Sequence, residues 1–254
     1  MADTPIDAHV RNAQFVIAGQ VVKIGATTMS MAPVPPNAGI FKIDEILHGP
    51  PLLNGFADKE ITVLFKESSA VRAGAPAIVF ATSWLYGESL AVIEVANMER
   101  ADVTRNEIDA AYGRLADERL MERITLAELV VAGKVVKTEP APEEIRRRMP
   151  VTEHEPAWWV AEIEINSVEK GRHGSKRVSI FFPSSTDVAW HDSPKFAVGD
   201  KGIWILQRDQ QERGWPRMRV PGLTALHPLD FQPPEHRELV RRLIRGGPGE
   251  TRPR

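Results

Sequence analysis

Hydrophobic and polar positions along the chain follow one pattern written twice. Phe15-Val-Ile-Ala-Gly-Gln-Val-Val-Lys-Ile24 and Leu129-Val-Val-Ala-Gly-Lys-Val-Val-Lys-Thr138 share an Ala-Gly-x-Val-Val-Lys core, with Gly19 matched to Gly133. Each is a nearly continuous apolar, β-branched run, which predicts a buried strand. A glycine inside such a run predicts a bulge, or a bend where the strand turns a barrel corner. Next, Ile40-Phe-Lys-Ile-Asp44 alternates, with Phe41 and Ile43 on one face and Lys42 and Asp44 on the other. The stretch from Phe41 to Gly49 aligns without gaps with Ile163 to Gly171, Glu60–Phe65 with Arg177–Phe182, and Gly74–Ala81 with Gly199–Leu206. The separation between copies changes only in the loops, the signature of a duplicated β unit. A fifth strand is predicted at Leu90–Ala96, and its counterpart around Met218–Leu226. A helix opens with Thr104 as N-cap and Glu107 at the capping-box position. Ile108, Ala111, Tyr112, Leu115 and Leu120 continue it at helical spacing. A second amphipathic helix is predicted over Pro234–Ile244.

Five short strands and a helix per copy predict a mainly β fold with peripheral helices. The expected architecture is two tandem five-stranded OB-like β-barrels, residues 1–119 and 120–254, each followed by a helix. Closure buries the sheet edges that five strands would otherwise leave open. The tail from Gly246 to Arg254, rich in glycine and proline, is expected to be disordered. Three features resemble netrin-like, or tissue-inhibitor-of-metalloproteinase-like, OB domains. They are the Val-Val-Ala-Gly-Lys-Val-Val core, the second strand ending in a His-Gly or Lys-Gly turn, and Gly199-Asp-Lys-Gly-Ile-Trp-Ile-Leu206. In the metalloproteinase inhibitors, the resemblance implies, an N-terminal cysteine places its amine and carbonyl on the target's zinc. This chain has no cysteine, so that device carries over to no residue here.

Composition narrows the classes. The 254 residues are 43% apolar and 26% charged, with a net charge of −2, as in an ordinary globular protein. Residues 1–119 carry 10 Lys and Arg against 15 Asp and Glu, and residues 120–254 carry 22 against 19. Neither half has the basic surplus of a nucleic-acid module. The lack of cysteine removes disulfides, thiolate metal sites and cysteine nucleophiles. No signal peptide and no long apolar span is visible, so the expectation is a cytoplasmic protein with no membrane contact.

Candidate chemistry is sparse. His191-Asp192-Ser193 holds the residue types of a serine triad, but sequence neighbours cannot bring their side chains into relay geometry. Gly87-Glu-Ser-Leu-Ala91 departs from a nucleophile elbow at its last position, and His154-Glu-Pro-Ala-Trp158 lacks the second histidine of a zinc helix. The seven histidines pair at no metal-ligand spacing. The expectation is no catalysis and no cofactor. An OB-like barrel invites an oligonucleotide- or ligand-binding reading. Five of six tryptophans lie in the second copy, near basic runs at Arg146-Arg147-Arg148 and Arg213–Arg219. Against it, the alternation that turns Ile163 and Ile165 inward turns Glu162 and Glu164 outward, where carboxylates repel phosphate. The favoured reading is a non-catalytic protein-interaction or scaffold module, with a cysteine-independent protease inhibitor as a further alternative. Arg146, Arg147, Arg148, Trp158, Trp190, His191 and Trp215 are the candidate partner-binding residues, carried on long loops of a rigid frame.

Overall fold

The computed structural model describes residues 5–30, 34–66, 72–86, 89–147, 156–208 and 222–246. Arg148, Trp215, the start of the strand expected from Met218 and the tail beyond Gly246 lie outside the described residues. The chain forms two compact units, Met1–Ala116 and Asp117–Arg254.

The first unit holds α1 (Pro5–Val10), β1 (Phe15–Ile24), β2 (Ala38–His48), β3 (Glu60–Leu64), β4 (Pro76–Tyr86) and β5 (Leu90–Glu99). Its strands close in the order β1-β2-β3-β5-β4, and β4 returns to pair with β1. Every pairing is antiparallel except β3 with β5. This is the mainly β barrel that the patterning predicts. Phe15, Ile17, Val21, Phe41, Ile43, Ile61, Val63 and Val79 fill the interior. The outer side of β1 and β4, with Val16, Ala18, Ile78 and Phe80, is covered as well. It packs against Val10 of α1 and against Ile108, Ala111 and Leu115 of α2 (Arg105–Leu126). Strand β1 is therefore buried on both faces, which is why it reads as a continuous apolar run. Each aliphatic side chain so covered is worth about 1.5–3 kcal/mol. The start of α2 follows the capping box: the Thr104 amide donates to Glu107 Oε2 (2.8 Å), and the Glu107 amide to Thr104 Oγ1 (3.3 Å).

The second unit repeats the first in register. Its strands are β6 (Leu129–Pro140), β7 (Ala157–Lys170), β8 (Arg177–Ser184), β9 (Lys201–Leu206), β10 (Leu223–Thr224) and β11 (Phe231–Gln232). The pairs Gly19↔Ile43 and Val21↔Phe41 of β1–β2 recur as Gly133↔Ile165 and Val135↔Ile163 of β6–β7. Even the register shifts recur: Val16/Ile17, Ala18/Gly19 and Val21/Lys23 become Val130/Val131, Ala132/Gly133 and Val135/Lys137. At the central shift the strands approach so closely that only glycine fits. A Cβ on Gly19 would run into the carbonyl oxygen of Lys42, and one on Gly133 into that of Glu164.

The copies differ at the fifth strand. Its counterpart is broken in two: β10 runs parallel to β8, as β5 does to β3, and β11 pairs with β9, as the end of β5 does with β4. Residues 225–230 stand where the first unit has 94–96. That excursion is held by Asp230, a fully buried carboxylate accepting the amides of Leu226 and His227 (both 2.9 Å) and both arms of Arg123 (2.9 and 3.0 Å). Removing one partner of such a buried pair costs about 3–5 kcal/mol. Where the first unit is a closed barrel, the second is thus a six-stranded half-barrel sheet in the order β10-β8-β7-β6-β9-β11, and an isolated bridge, Gln207↔Thr224, stands in the position of Thr82↔Ile93.

The outer side of β6 and β9 packs against Leu120, Ile124 and Ala127 and against Val240 and Leu243 of α4 (Arg237–Gly246). Glu169 ties α4 to β7. It accepts from Arg237 Nε (2.9 Å), Arg241 Nε (2.7 Å) and Ser167 Oγ (2.6 Å). Burial opposes its ionisation, but the bonds from Arg241, Ser167 and Arg237 prevail and hold its pKa at about 2.

Two outcomes are expected. Gly19→Ala and Gly133→Ala should each destabilise by about 1–3 kcal/mol, since the added carbon overpacks a closed contact. Gly113→Ala in α2, with nothing within 4 Å of the new methyl, should stabilise by about 0.5–1 kcal/mol. Urea midpoints read all three. Second, the folded pKa of Glu169 lies below the ordinary 4.5, so its contribution is complete above that pH and is lost as pH falls through about 2. Glu169→Gln should lower stability at pH 7 by about 1–3 kcal/mol, and the gap to wild type should close on acidification over that window.

Candidate functional site

Three loops of the second unit meet on the outer side of β7 and β8. Alternation sends Trp159, Ala161 and Ile163 of β7 into the barrel and Trp158 and Val160 to the opposite side; Phe181 of β8 joins them there. The loop after β6 brings Ala141 and Ile145, the loop after β8 brings Ala189 and Trp190, and the segment after β10 brings Leu226. Trp158 and Trp190 meet edge to face, with centroids 5.6 Å apart. They are 2% and 4% exposed. Trp190 is thus no exposed loop anchor: it tucks against the barrel, because Trp158 and Phe181 offer it an apolar seat outside the main core. Trp204, by contrast, lies inside the barrel.

Residues 185–200, between β8 and β9, are fixed along their length. Ser185 Oγ accepts from the Asp187 amide (3.1 Å), and Asp187 Oδ1 from the Ala189 amide (2.8 Å). Lys195 Nζ gathers three carbonyls, those of Trp190 (2.6 Å), His191 (3.2 Å) and Ser193 (2.8 Å). Burial lowers the pKa of that ammonium, and Asp192 partly offsets the shift. Phe196 then enters the barrel between Phe182, Trp204 and Phe231. Asp200 Oδ2 caps the Ala197 amide (2.7 Å). Between its two aromatic anchors the loop holds His191 at the surface. Val188 is 89% exposed and Val198 62%. Sequence reasoning missed both valines, since nothing in a polar loop marks which apolar residue faces out.

Arg146 and Arg147 end α3 (Glu143–Arg146) and its cap, a single turn after Pro142. Both are exposed, and Arg147 pairs with Glu143 at 2.5 Å. At such exposure the pair adds little to stability. Ile145 of the same turn reaches the Trp158 cluster, so the basic turn is seated on the barrel. On the neighbouring sheet face Glu162 and Glu164 point outward, and Arg177 engages Glu162 at 2.6 Å.

In the first unit the corresponding face is bridged by hydroxyls. Thr28 Oγ1 lies 3.0 Å from Thr62 Oγ1 on β3 and 2.8 Å from Ser89 Oγ beside β5, and Thr27 Oγ1 lies 2.8 Å from Thr62 Oγ1. Among the described residues no group of three or more His, Asp or Glu is placed to hold a metal ion, and no helix is long and apolar enough to cross a membrane.

No protein-family model and no curated protein matches the sequence. Among solved structures, the chain is similar to a deletion mutant of the single-stranded DNA binding protein from Thermus aquaticus, at 12% identity over 87% of this chain and 94% of that one, with a TM-score of 0.21. The wild-type form of that protein gives 12% identity, 87% and 92% coverage and a TM-score of 0.18. Scores this low carry no weight for the function of this chain.

Trp190→Ala should behave as a core truncation, costing about 3–5 kcal/mol in urea unfolding. Lys195→Met, which keeps the aliphatic stem, should change global stability by less than about 1 kcal/mol. It should speed hydrogen exchange of the amides over residues 187–195, resolved by NMR.

Proposed function

We propose that the chain is a non-catalytic binding protein in which OB-like barrels serve as frames for loops that recognise another protein. The observation that carries this reading is the loop of residues 185–200. Its backbone is fixed by Lys195, Asp187 and two buried aromatic anchors, yet it holds Val188 at 89% exposure. A segment already ordered loses little further entropy on association, so an apolar side chain displayed there yields more net affinity than one on a mobile loop. Arg146 and Arg147, exposed on a seated turn, add charge suited to an acidic rim.

A nucleic-acid partner has the strand order in its favour, because five-stranded barrels of this topology commonly bind oligonucleotides. It has the side chains against it. Stacking needs exposed rings beside a basic groove, whereas Trp158 and Trp190 are buried and the adjacent face carries Glu162 and Glu164. The netrin-like assignment belongs to the same proposal, resting on the strand-one core and the glycine turns. Its inhibitory variant would work through these loops and not through a cysteine.

The test compares tagged wild type with a Val188→Glu/Val198→Glu variant in pull-downs from the source cell, with eluates assayed for protein and for nucleic acid. Both substituted positions are exposed, so folding is preserved. The expected result is a protein retained by wild type, lost from the variant, and no nucleic acid. Retention by both forms would move recognition off this loop. Salt-sensitive binding of a single-stranded oligonucleotide by wild type would replace the protein partner with the nucleic-acid one.

A further inference from the structure

The two barrels treat the same end of the ring differently. In the second, that mouth is stoppered by rings: Phe231 on β11 faces Trp204 (5.2 Å between centroids), and Phe196 lies 5.2 Å from Phe182 and 5.4 Å from Phe231. The registers give the equivalent positions in the first barrel. The pair Trp204↔Phe231 corresponds to Val79↔Asn97, and Phe182 to Phe65. There, Asn97 in place of the phenylalanine adjoins a cavity of about 510 Å³, lined by Ala75, Pro76, Ala77, Asn97 and Met98, with Arg72 at its rim. That volume falls within the range of small-molecule sites.

We infer that this cavity is a binding site for a small monoanionic amphiphile, a short-chain carboxylate with its hydrocarbon end along the apolar wall and its charge on Arg72. Ala75, Pro76, Ala77 and Met98 supply the apolar wall, over the buried Val21 and Phe65. Asn97 supplies a fixed polar floor: its Nδ2 donates to Glu94 (2.6 Å), a buried carboxylate that also accepts the Lys66 amide (3.3 Å). Two arginines stand at the rim, but Arg100 is engaged by Asp44 (3.1 Å) and Glu45 (3.3 Å). Arg72, exposed, is the cation that meets an incoming anion. Glu99 on the same rim opposes a second negative charge, which restricts the ligand to a single one. The inference is independent of the protein-binding reading, since the residues of the two sites belong to different units.

Hexanoate, with hexylamine as the opposite-charge control, tests it by amide NMR titration of the full chain. Hexanoate at millimolar concentration should shift the amides of Val21, Ala77 and Met98, and hexylamine should not. Arg72→Ala, an exposed change that leaves the fold intact, should weaken hexanoate at least tenfold, the scale of one charge-assisted hydrogen bond. Ala77→Leu, which narrows the cavity, should reduce the shifts at a given hexanoate concentration. Unmoved amides, equal binding of hexylamine, or undiminished binding by Arg72→Ala would each overturn the proposal.

Discussion

Everything in each unit depends on one strand buried on both of its faces. β1 and β6 send one set of side chains into the barrel and the other against a helix, so neither face tolerates a polar residue in the first five positions. The same strand must bend sharply enough for a five-stranded ring to close. It does so at Gly19 and Gly133, where the partner's carbonyl occupies the space a Cβ would need. The glycine fixes the register shift, the shift fixes which residues of β2 and β7 face inward, and those residues fix the core. Identical shifts at matching residues in both copies follow from that single steric condition.

The units diverge in how they complete the ring. In the first, β4 and β5 form one antiparallel ladder from Ala77↔Glu99 to Tyr86↔Leu90, with register shifts at Phe80/Ala81 and Ser83/Leu85. In the second, this ladder survives at Phe231↔Trp204, Gln232↔Ile203 and the bridge Gln207↔Thr224. Backbone hydrogen bonds lost there are offset by packed rings in the mouth and by the Asp230–Arg123 pair clamping the excursion to α2. The arrangement has a cost: Trp204 Nε1, buried among those rings, finds no acceptor among the described residues, a loss of about 1–3 kcal/mol. Trp204 thus has a structural role, filling the mouth of the second unit.

Much of this was legible in the sequence, because double-sided burial leaves a run that cannot be disguised. Ala-Gly-x-Val-Val-Lys marks the bent strand, and the alternation around Phe41 and Ile163 marks the strand it bends against. The capping box at Thr104 and Glu107 marks the helix start. The broken fifth strand was not legible. Two-residue strands have no period, and the turn that separates them is specified by a buried Asp230 whose partner, Arg123, lies more than a hundred residues away in sequence. The candidate residues fared unevenly for a related reason. Composition identifies a tryptophan but not its surroundings, and Trp158 and Trp190 found each other only because the loops after β6 and β8 fold to one side of the sheet.

Burial of those rings decides how the rest of the loop can act. A tryptophan exposed on a flexible loop offers area but must lose loop and side-chain entropy when it binds. Once Trp190 and Phe196 are sunk within residues 185–200, Lys195 gathers the carbonyls between them and Asp187 and Asp200 hold the flanks, much of that entropy has been lost on folding. What the loop then shows to its surroundings is a small, conformationally fixed set of side chains. Of its aromatic residues only His191 stays at the surface, and Trp190 and Phe196 are withdrawn into the cores. Trp190, which looks most like a binding residue in the sequence, therefore acts as an anchor that holds its neighbours in place.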